Sequence, residues 1–146
     1  MAKRFLVIGL GRFGSAVVDS LESQGCEVIA ADREMAAVEG VKDKAAFAVQ
    51  MDTTEPEALR SIEPHTCVAA IVAIGEDFES ACLTVASLKE LGIKRILARA
   101  QTPRRGRILA SAGATEILHV ETEMGARIGK RLATESSDPS ASSTSS

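Results

Sequence analysis

An α/β fold is predicted by this sequence: a doubly wound, six-stranded parallel sheet with helices on both faces. Three observations predict it. A short apolar run, Phe5 to Ile8, enters a Gly-x-Gly-x-x-Gly loop at Gly9, Gly11 and Gly14. An amphipathic helix pattern of Phe13, Val17, Val18 and Leu21 follows, and a second apolar run, Val28 to Ala31, ends on Asp32. Beyond Asp32, apolar runs keep alternating with helical periodicity across short connections, as parallel strands joined by crossover helices require. Strand, glycine loop, helix, strand and acid stand in the order of a Rossmann-like dinucleotide fold.

The elements follow in turn. The first strand is read at 4–8 and its helix at 12–24. The second strand is 27–31, with a helix over 34–43, and the third strand is 46–51, running into Asp52. Thr54-Glu-Pro-Glu57 reads as a capping box with an early proline, opening a short helix to 61. The run 67–74 is the most apolar of the chain and is placed at the sheet centre. Gly75 ends it, Asp77 caps a helix to Leu91, and Gly92 closes that helix. A fifth strand covers 95–99, Thr102-Pro103 starts a helix that ends at Gly113, a sixth strand covers 116–120, and a last helix covers 122–133. The expected strand order is 3-2-1-4-5-6. Residues 1–134 form one domain, and the Ser-rich stretch 135–146 is expected to be disordered, because it cannot bury a core.

Composition narrows the function classes. The 146 residues are 45% hydrophobic but only 3% aromatic, without Trp or Tyr, so the core is aliphatic. That suits buried parallel strands, and it excludes short-chain dehydrogenases, which need a Tyr-x-x-x-Lys acid. A net charge of −3 argues against general nucleic-acid binding. No apolar run approaches the ~20 residues of a membrane span, and no signal peptide is visible, so a cytoplasmic protein is expected. Cys26, Cys67 and Cys82 are widely spaced and read as buried free thiols. His65 and His119 are isolated, which leaves no structural zinc pattern.

The glycine loop carries the chemistry. Gly9 permits the turn off the strand, Gly11 lets the backbone approach a phosphate, and Gly14 lets the helix pack closely on the sheet. Free N–H groups of the helix's first turn face the phosphates. Asp32 accepts from a ribose diol and repels a 2′-phosphate, an exclusion softened by Arg33. Arg12, inside the loop, either reaches a terminal phosphate with its guanidinium fork or is a solvated surface arginine. In such a sheet, ligands bind at the carboxyl ends of the strands, where the order switches between strands one and four. The strand-end residues Gly9, Asp32, Asp52, Gly75, Arg99 and Glu121 are therefore the functional map. Three of them keep a plainer alternative: Asp52 as a helix cap, Arg99 as a solvated strand-end charge, Glu121 as an acid favouring a helix N-terminus.

These motifs resemble a known family. Gly9-Leu-Gly-Arg-Phe-Gly14, Asp52-Thr-Thr54, Ala73-Ile-Gly75, Ala98-Arg-Ala-Gln101 and the run from Gly113 to Gly125 together resemble the nucleotide-binding RCK, or TrkA-N, domain of bacterial Ktr/Trk-type potassium-uptake regulators. The resemblance covers residues 1–133 and is closest to the Ktr branch. It implies a cytosolic regulatory subunit that binds ATP, ADP or NAD(H), associates with a membrane potassium-translocating subunit, and forms homodimers that assemble into an octameric ring. It implies phosphate contacts from Gly9, Gly11 and Gly14 with Phe13 in the same loop, ribose contacts from Asp32 with Arg33 beside it, and a place beside the adenine for Asp52 and Thr53. Ala73, Ile74 and Gly75 line the site, Arg12 meets the terminal phosphate of ATP, and Arg99 lies near the phosphates. Glu121 matches a glutamate that helps hold a divalent cation, Mg or Ca. Two positions depart from the pattern: Met51 stands where a Gly is usual and Val120 where a Pro is common. Relatives carry a further C-terminal domain, which is not expected within these residues.

Two classes of function remain. One is a ligand-gated transport regulator without catalytic residues. The other is a fragment of an NAD-dependent oxidoreductase, or a generic NAD-binding module; an enzyme would need a substrate domain and an acid or base near the nicotinamide. Met124, Ile128 and Leu132 form one stripe of the last helix, with Gly125 and Gly129 beside it. The stripe is either core or, as the resemblance implies, a dimer contact. Lys94, Arg95, Arg99, Arg104, Arg105 and Arg107 form a basic stretch, either a solvated face or a contact surface.

Overall fold

A computed structural model describes residues 2–135. The Ser-rich stretch expected to be disordered lies, but for Glu135, outside the described residues. Six parallel strands form one sheet: β1 (Arg4–Ile8), β2 (Glu27–Asp32), β3 (Phe47–Gln50), β4 (Ala69–Val72), β5 (Ile96–Arg99) and β6 (Glu116–Leu118). Their order is β3-β2-β1-β4-β5-β6, the expected one. Six helices alternate with them: α1 (Arg12–Ser23), α2 (Met35–Glu39), α3 (Pro56–Ser61), α4 (Phe78–Glu90), α5 (Pro103–Ala112) and α6 (Val120–Thr134).

The pleat divides the core into two layers. Successive strand residues point to opposite faces, so Leu6 and Ile8 pack with Leu59, Val85, Leu88 and Leu109 beneath α3, α4 and α5. Val7 points the other way, with Val18, Val28, Val38 and Ile71 beneath α1 and α2. All four residues of β4 are buried, as expected of the central strand. Full burial of such an aliphatic side chain contributes about 1.5–3 kcal/mol, and the core is built almost wholly from them.

Several boundaries differ from the sequence reading, for physical reasons. The strand expected at 67–74 is regular only over Ala69–Val72; Pro64–Thr66 forms a short 3-10 turn just upstream and delays its start. The second helix stops at Glu39 rather than 43, and the chain continues in turns through Lys44 N to Val41 O. The Thr54 capping box does not form. Thr54 instead donates its hydroxyl and its N–H to Asp52 Oδ1, at 2.6 and 3.0 Å, and α3 starts at Pro56 without a side-chain cap. The caps expected at Asp77 and Thr102 are made: Ser80 N donates to Asp77 Oδ1 at 3.0 Å and Arg105 N to Thr102 Oγ1 at 3.1 Å. The cysteines are free but half-buried rather than buried, and burial pushes the Cys67 and Cys82 thiols up.

Helix α6 is the main departure. It begins two residues early, and none of its residues is buried against the rest of the described chain. Met124 and Leu132 are 50% and 59% exposed, so the stripe is not core within one chain. Among the described residues, no helix is long and apolar enough to cross a membrane.

Two glycines set how closely α1 can approach β1. Gly9 has φ +92, and a β-carbon there would stand 2.8 Å from Ala73 C and Ile74 N. A β-carbon on Gly14 would fall 1.8 Å from Gly9 O. Gly11 has open space around it and an extended backbone. Gly14→Ala is therefore expected to cost about 3 kcal/mol or more through forced backbone shifts, whereas Gly11→Ala leaves stability unchanged within about 1 kcal/mol. Urea unfolding midpoints of the two variants check this contrast.

Candidate functional site

The carboxyl ends of β1, β2 and β4 open onto a cleft of about 600 Å³. It lies where the strand order switches, between β1 and β4. The parallel register brings this about: Ile8 pairs with Ala31 on one side and Val72 on the other, so the three strands end together. Gly9 N donates to Ala31 O at 2.9 Å and Ala73 N to Ile8 O at 2.7 Å, which carries the pairing right up to the glycine loop.

Of the residues singled out in the sequence, Gly9, Gly11, Phe13, Asp32, Arg33, Thr53, Ala73, Ile74, Gly75 and Arg99 line this cleft. Gly14 does not, because it is buried under the loop against Gly9. Arg12, Asp52 and Glu121 also stand outside the lining. Arg12 is the first residue of α1 and is exposed.

Asp32 is the best-held polar group. Its Oδ2 accepts from Leu10 N and its Oδ1 from Glu34 N, both at 2.7 Å. The carboxylate thus ties the glycine loop to the end of β2, and each oxygen keeps a further lone pair for a hydroxyl donor. Arg33 reaches across the rim, with Nη2 3.5 Å from Asp52 and 3.3 Å from Ser80 Oγ, and Nη1 3.7 Å from Asp77. Two carboxylates share it. Thr53 lines the wall, but its hydroxyl pairs with that of buried Thr84 at 3.0 Å. That pair is structural, and the sequence has no local signal for it, since the partners are 31 positions apart.

Arg99 ends β5 with its side chain only 22% exposed. Nη2 donates to Glu121 Oε2 at 2.7 Å, and the guanidinium carbon lies 5.6 Å from the centre of the Phe13 ring. Its Nε is buried with no partner among the described residues. Beyond the expected set, Ile8, Leu10, Glu34, Met51, Glu76, Asp77, Ser80 and Gln101 complete the lining. Gln101 donates to Gly75 O and accepts from Arg105 Nη1 at 2.7 Å. It belonged to a motif already noted, but only the fold places it at the cleft.

Glu121 is held by Arg99, and among the described residues no group of three or more His, Cys, Asp or Glu side chains could hold a metal ion. His119 does not line the cleft; its ring packs toward Gly106 of α5.

Three exposed carboxyls are held below the usual carboxylate range. Asp52 is lowered by the Thr54 hydroxyl and N–H, Asp77 by the Ser80 hydroxyl and N–H, and Glu121 by its bond from Arg99. A carboxyl lowered in the folded state contributes stability above its unfolded value and loses it as pH falls through the folded one. Thermal midpoints are therefore expected to be flat from neutral pH down to about pH 5 and to fall below about pH 4. A second expectation concerns the buried hydroxyl pair. Thr84→Val leaves Thr53 unpartnered and costs about 1–3 kcal/mol, as read by urea unfolding.

Comparison with known proteins agrees with this architecture. The chain is 37% identical over 132 residues to Ktr system potassium uptake protein C of Bacillus subtilis, covering 90% of this chain and 60% of that protein. It is 38% identical over 133 residues to Ktr system potassium uptake protein A of the same organism, covering 91% and 60%. The chain thus spans about 60% of the length of these relatives. Among solved structures, the GsuK channel bound to NAD superposes with a TM-score of 0.76 at 16% identity, covering 90% of this chain and 24% of that one. GsuK bound to ADP gives 0.75 at 18%, covering 92% and 36%. At such identities the likeness is one of fold. Residues 5–120 match the model of the TrkA-N domain, and with these relatives the match shows that the chain belongs to the TrkA-N family.

Proposed function

We propose that this domain binds a phosphorylated adenosine ligand, ATP, ADP or NAD(H), in the cleft at the ends of β1, β2 and β4. We assign it to the nucleotide-sensing part of a cytoplasmic regulatory subunit of a potassium uptake system. The observation that carries the reading is the joint placement of Gly11 and Asp32. Gly11 opens its backbone to the cleft with nothing within 4 Å of an added β-carbon. Asp32 is pinned at the cleft wall with lone pairs to spare. One suits a phosphate and the other a ribose diol. Asp32 would repel a 2′-phosphate, and Arg33 is shared at the rim between Asp52 and Asp77, at 3.5 and 3.7 Å, which together favour ligands lacking one.

The relatives supply the setting. Two are potassium uptake proteins, and the fold neighbour GsuK binds NAD and ADP. A membrane potassium-translocating subunit is the partner proposed for this chain. A homodimer is supported by α6, whose apolar stripe is uncovered in one chain. Regulation requires ligands that differ in affinity between two states, since equal affinity shifts nothing. No observation favours an oxidoreductase, and the cation site is left out of the proposal.

Isothermal titration of the purified chain with ATP, ADP, NAD and NADH tests this. Binding of at least one is expected, with Asp32→Ala weakening every adenosine ligand. Gly11→Ala should weaken phosphorylated ligands while the fold is kept. Arg12→Ala should weaken ATP more than ADP if its exposed side chain swings to a terminal phosphate; equal losses remove that role. No binding of any of the four overturns the reading.

A further inference from the structure

Arg33 spans the end of the cleft farthest from the glycine loop. The strand order β3-β2-β1 sets the loop at the end of β1, Asp32 at the end of β2, and Met51 and Thr53 just past β3, in one row. A ligand with a phosphate at Gly11 and a ribose at Asp32 therefore carries its base toward Met51 and Thr53, which line the cleft. The Thr53 hydroxyl is paired with Thr84, and Met51 packs against the core, so this end of the cleft has a largely apolar floor.

The Arg33 side chain crosses the rim above that floor. Nη2 lies 3.3 Å from Ser80 Oγ and Nη1 lies 3.7 Å from Asp77 Oδ2. Arg33, Asp77 and Ser80 all line the cleft. A third contact, from Nη2 to Asp52 Oδ1 at 3.5 Å, reaches the chain just past β3. The guanidinium thus bridges from the ends of β2 and β3 to the start of α4.

Its anchors are fixed and its own grip is weak. Asp52 is held by the N–H and hydroxyl of Thr54, and Asp77 by those of Ser80. Gln50 Nε2 donates to Arg33 O at 3.0 Å, which steadies the backbone behind the side chain. The contacts of the guanidinium itself are long and join half-exposed side chains, and such pairs contribute little. A planar cation held only by its edge keeps its faces free, and a flat heteroaromatic ring stacks on a guanidinium face.

We propose that Arg33 is a strap over the base of the ligand: its guanidinium, anchored by Asp52 and Asp77, covers the base against the floor of Met51 and Thr53. The proposal rests on the reading of the cleft as a nucleotide site. Because the strap acts on the base, its contribution is the same whatever the number of phosphates. A plain surface charge would instead act in proportion to the charge of the ligand.

The test is calorimetric titration of AMP, ADP and ATP into the wild-type chain, Arg33→Lys, Arg33→Ala, Asp77→Asn and the Arg33→Ala, Asp77→Asn double variant. Arg33→Lys keeps the charge and removes the planar fork. It is expected to weaken every ligand that the wild type binds by one common factor, about two- to fivefold, the range of an exposed cation–π contact. Unchanged affinity in Arg33→Lys, or a loss that grows from AMP to ATP, overturns the strap while leaving the nucleotide site standing. Asp77→Asn keeps the α4 cap and removes the anchoring charge. It is expected to weaken the tightest of the three ligands by about twofold more when Arg33 is present than in the Arg33→Ala background. Strictly additive effects also overturn the strap. Failure of the wild type to bind any of the three overturns both readings.

Discussion

The close contact of Gly14 with Gly9 is the constraint on which the rest depends. A methyl group on Gly14 would fall 1.8 Å from the Gly9 carbonyl oxygen. Only without it can α1 lie close on β1, with its first turn at the mouth of the cleft. That approach presses Val18 onto Val7 and Val28 in one core layer. It also keeps the loop low enough for Leu10 N to reach Asp32 at 2.7 Å. Core packing and site geometry are thus consequences of the same missing side chain.

A second feature of the site is that its charges are partly engaged within the protein itself. Asp32 accepts two backbone N–H groups, Arg33 is shared between Asp52 and Asp77, and Arg99 holds Glu121. The engagements differ in kind. Those of Asp32 use one lone pair on each oxygen and orient the rest, which is preorganisation for a ligand hydroxyl. That of Arg99 holds the first turn of α6 to the end of β5.

Much of the fold could be read in advance, and the parts that could not share a cause. The strand order, the glycine loop and the caps at Asp77 and Thr102 depend on contacts near in sequence or on strongly apolar runs, and these were legible. The Thr54 capping box was misread because Asp52, two residues away, takes the same hydroxyl. Thr53 was placed at the cleft, but its bond to Thr84 depends on α4 packing across the sheet. The stripe on α6 has core periodicity, yet no surface of its own chain covers it. Periodicity says that a face is apolar and says nothing of what meets it.

The sequence by itself determined the elements and the chemistry of the loop, because both are local. Glycine at 9, 11 and 14 sets backbone conformation and close approach within a few residues, and the aliphatic runs dictate buried parallel strands. Only the tertiary structure decided which charges face the cleft. Arg99 and Glu121 stand 22 positions apart and Arg33 and Ser80 stand 47 apart. Their meeting is set by the parallel register that ends β2, β4 and β5 at one level, and by the side chains that packing leaves free to reach across it.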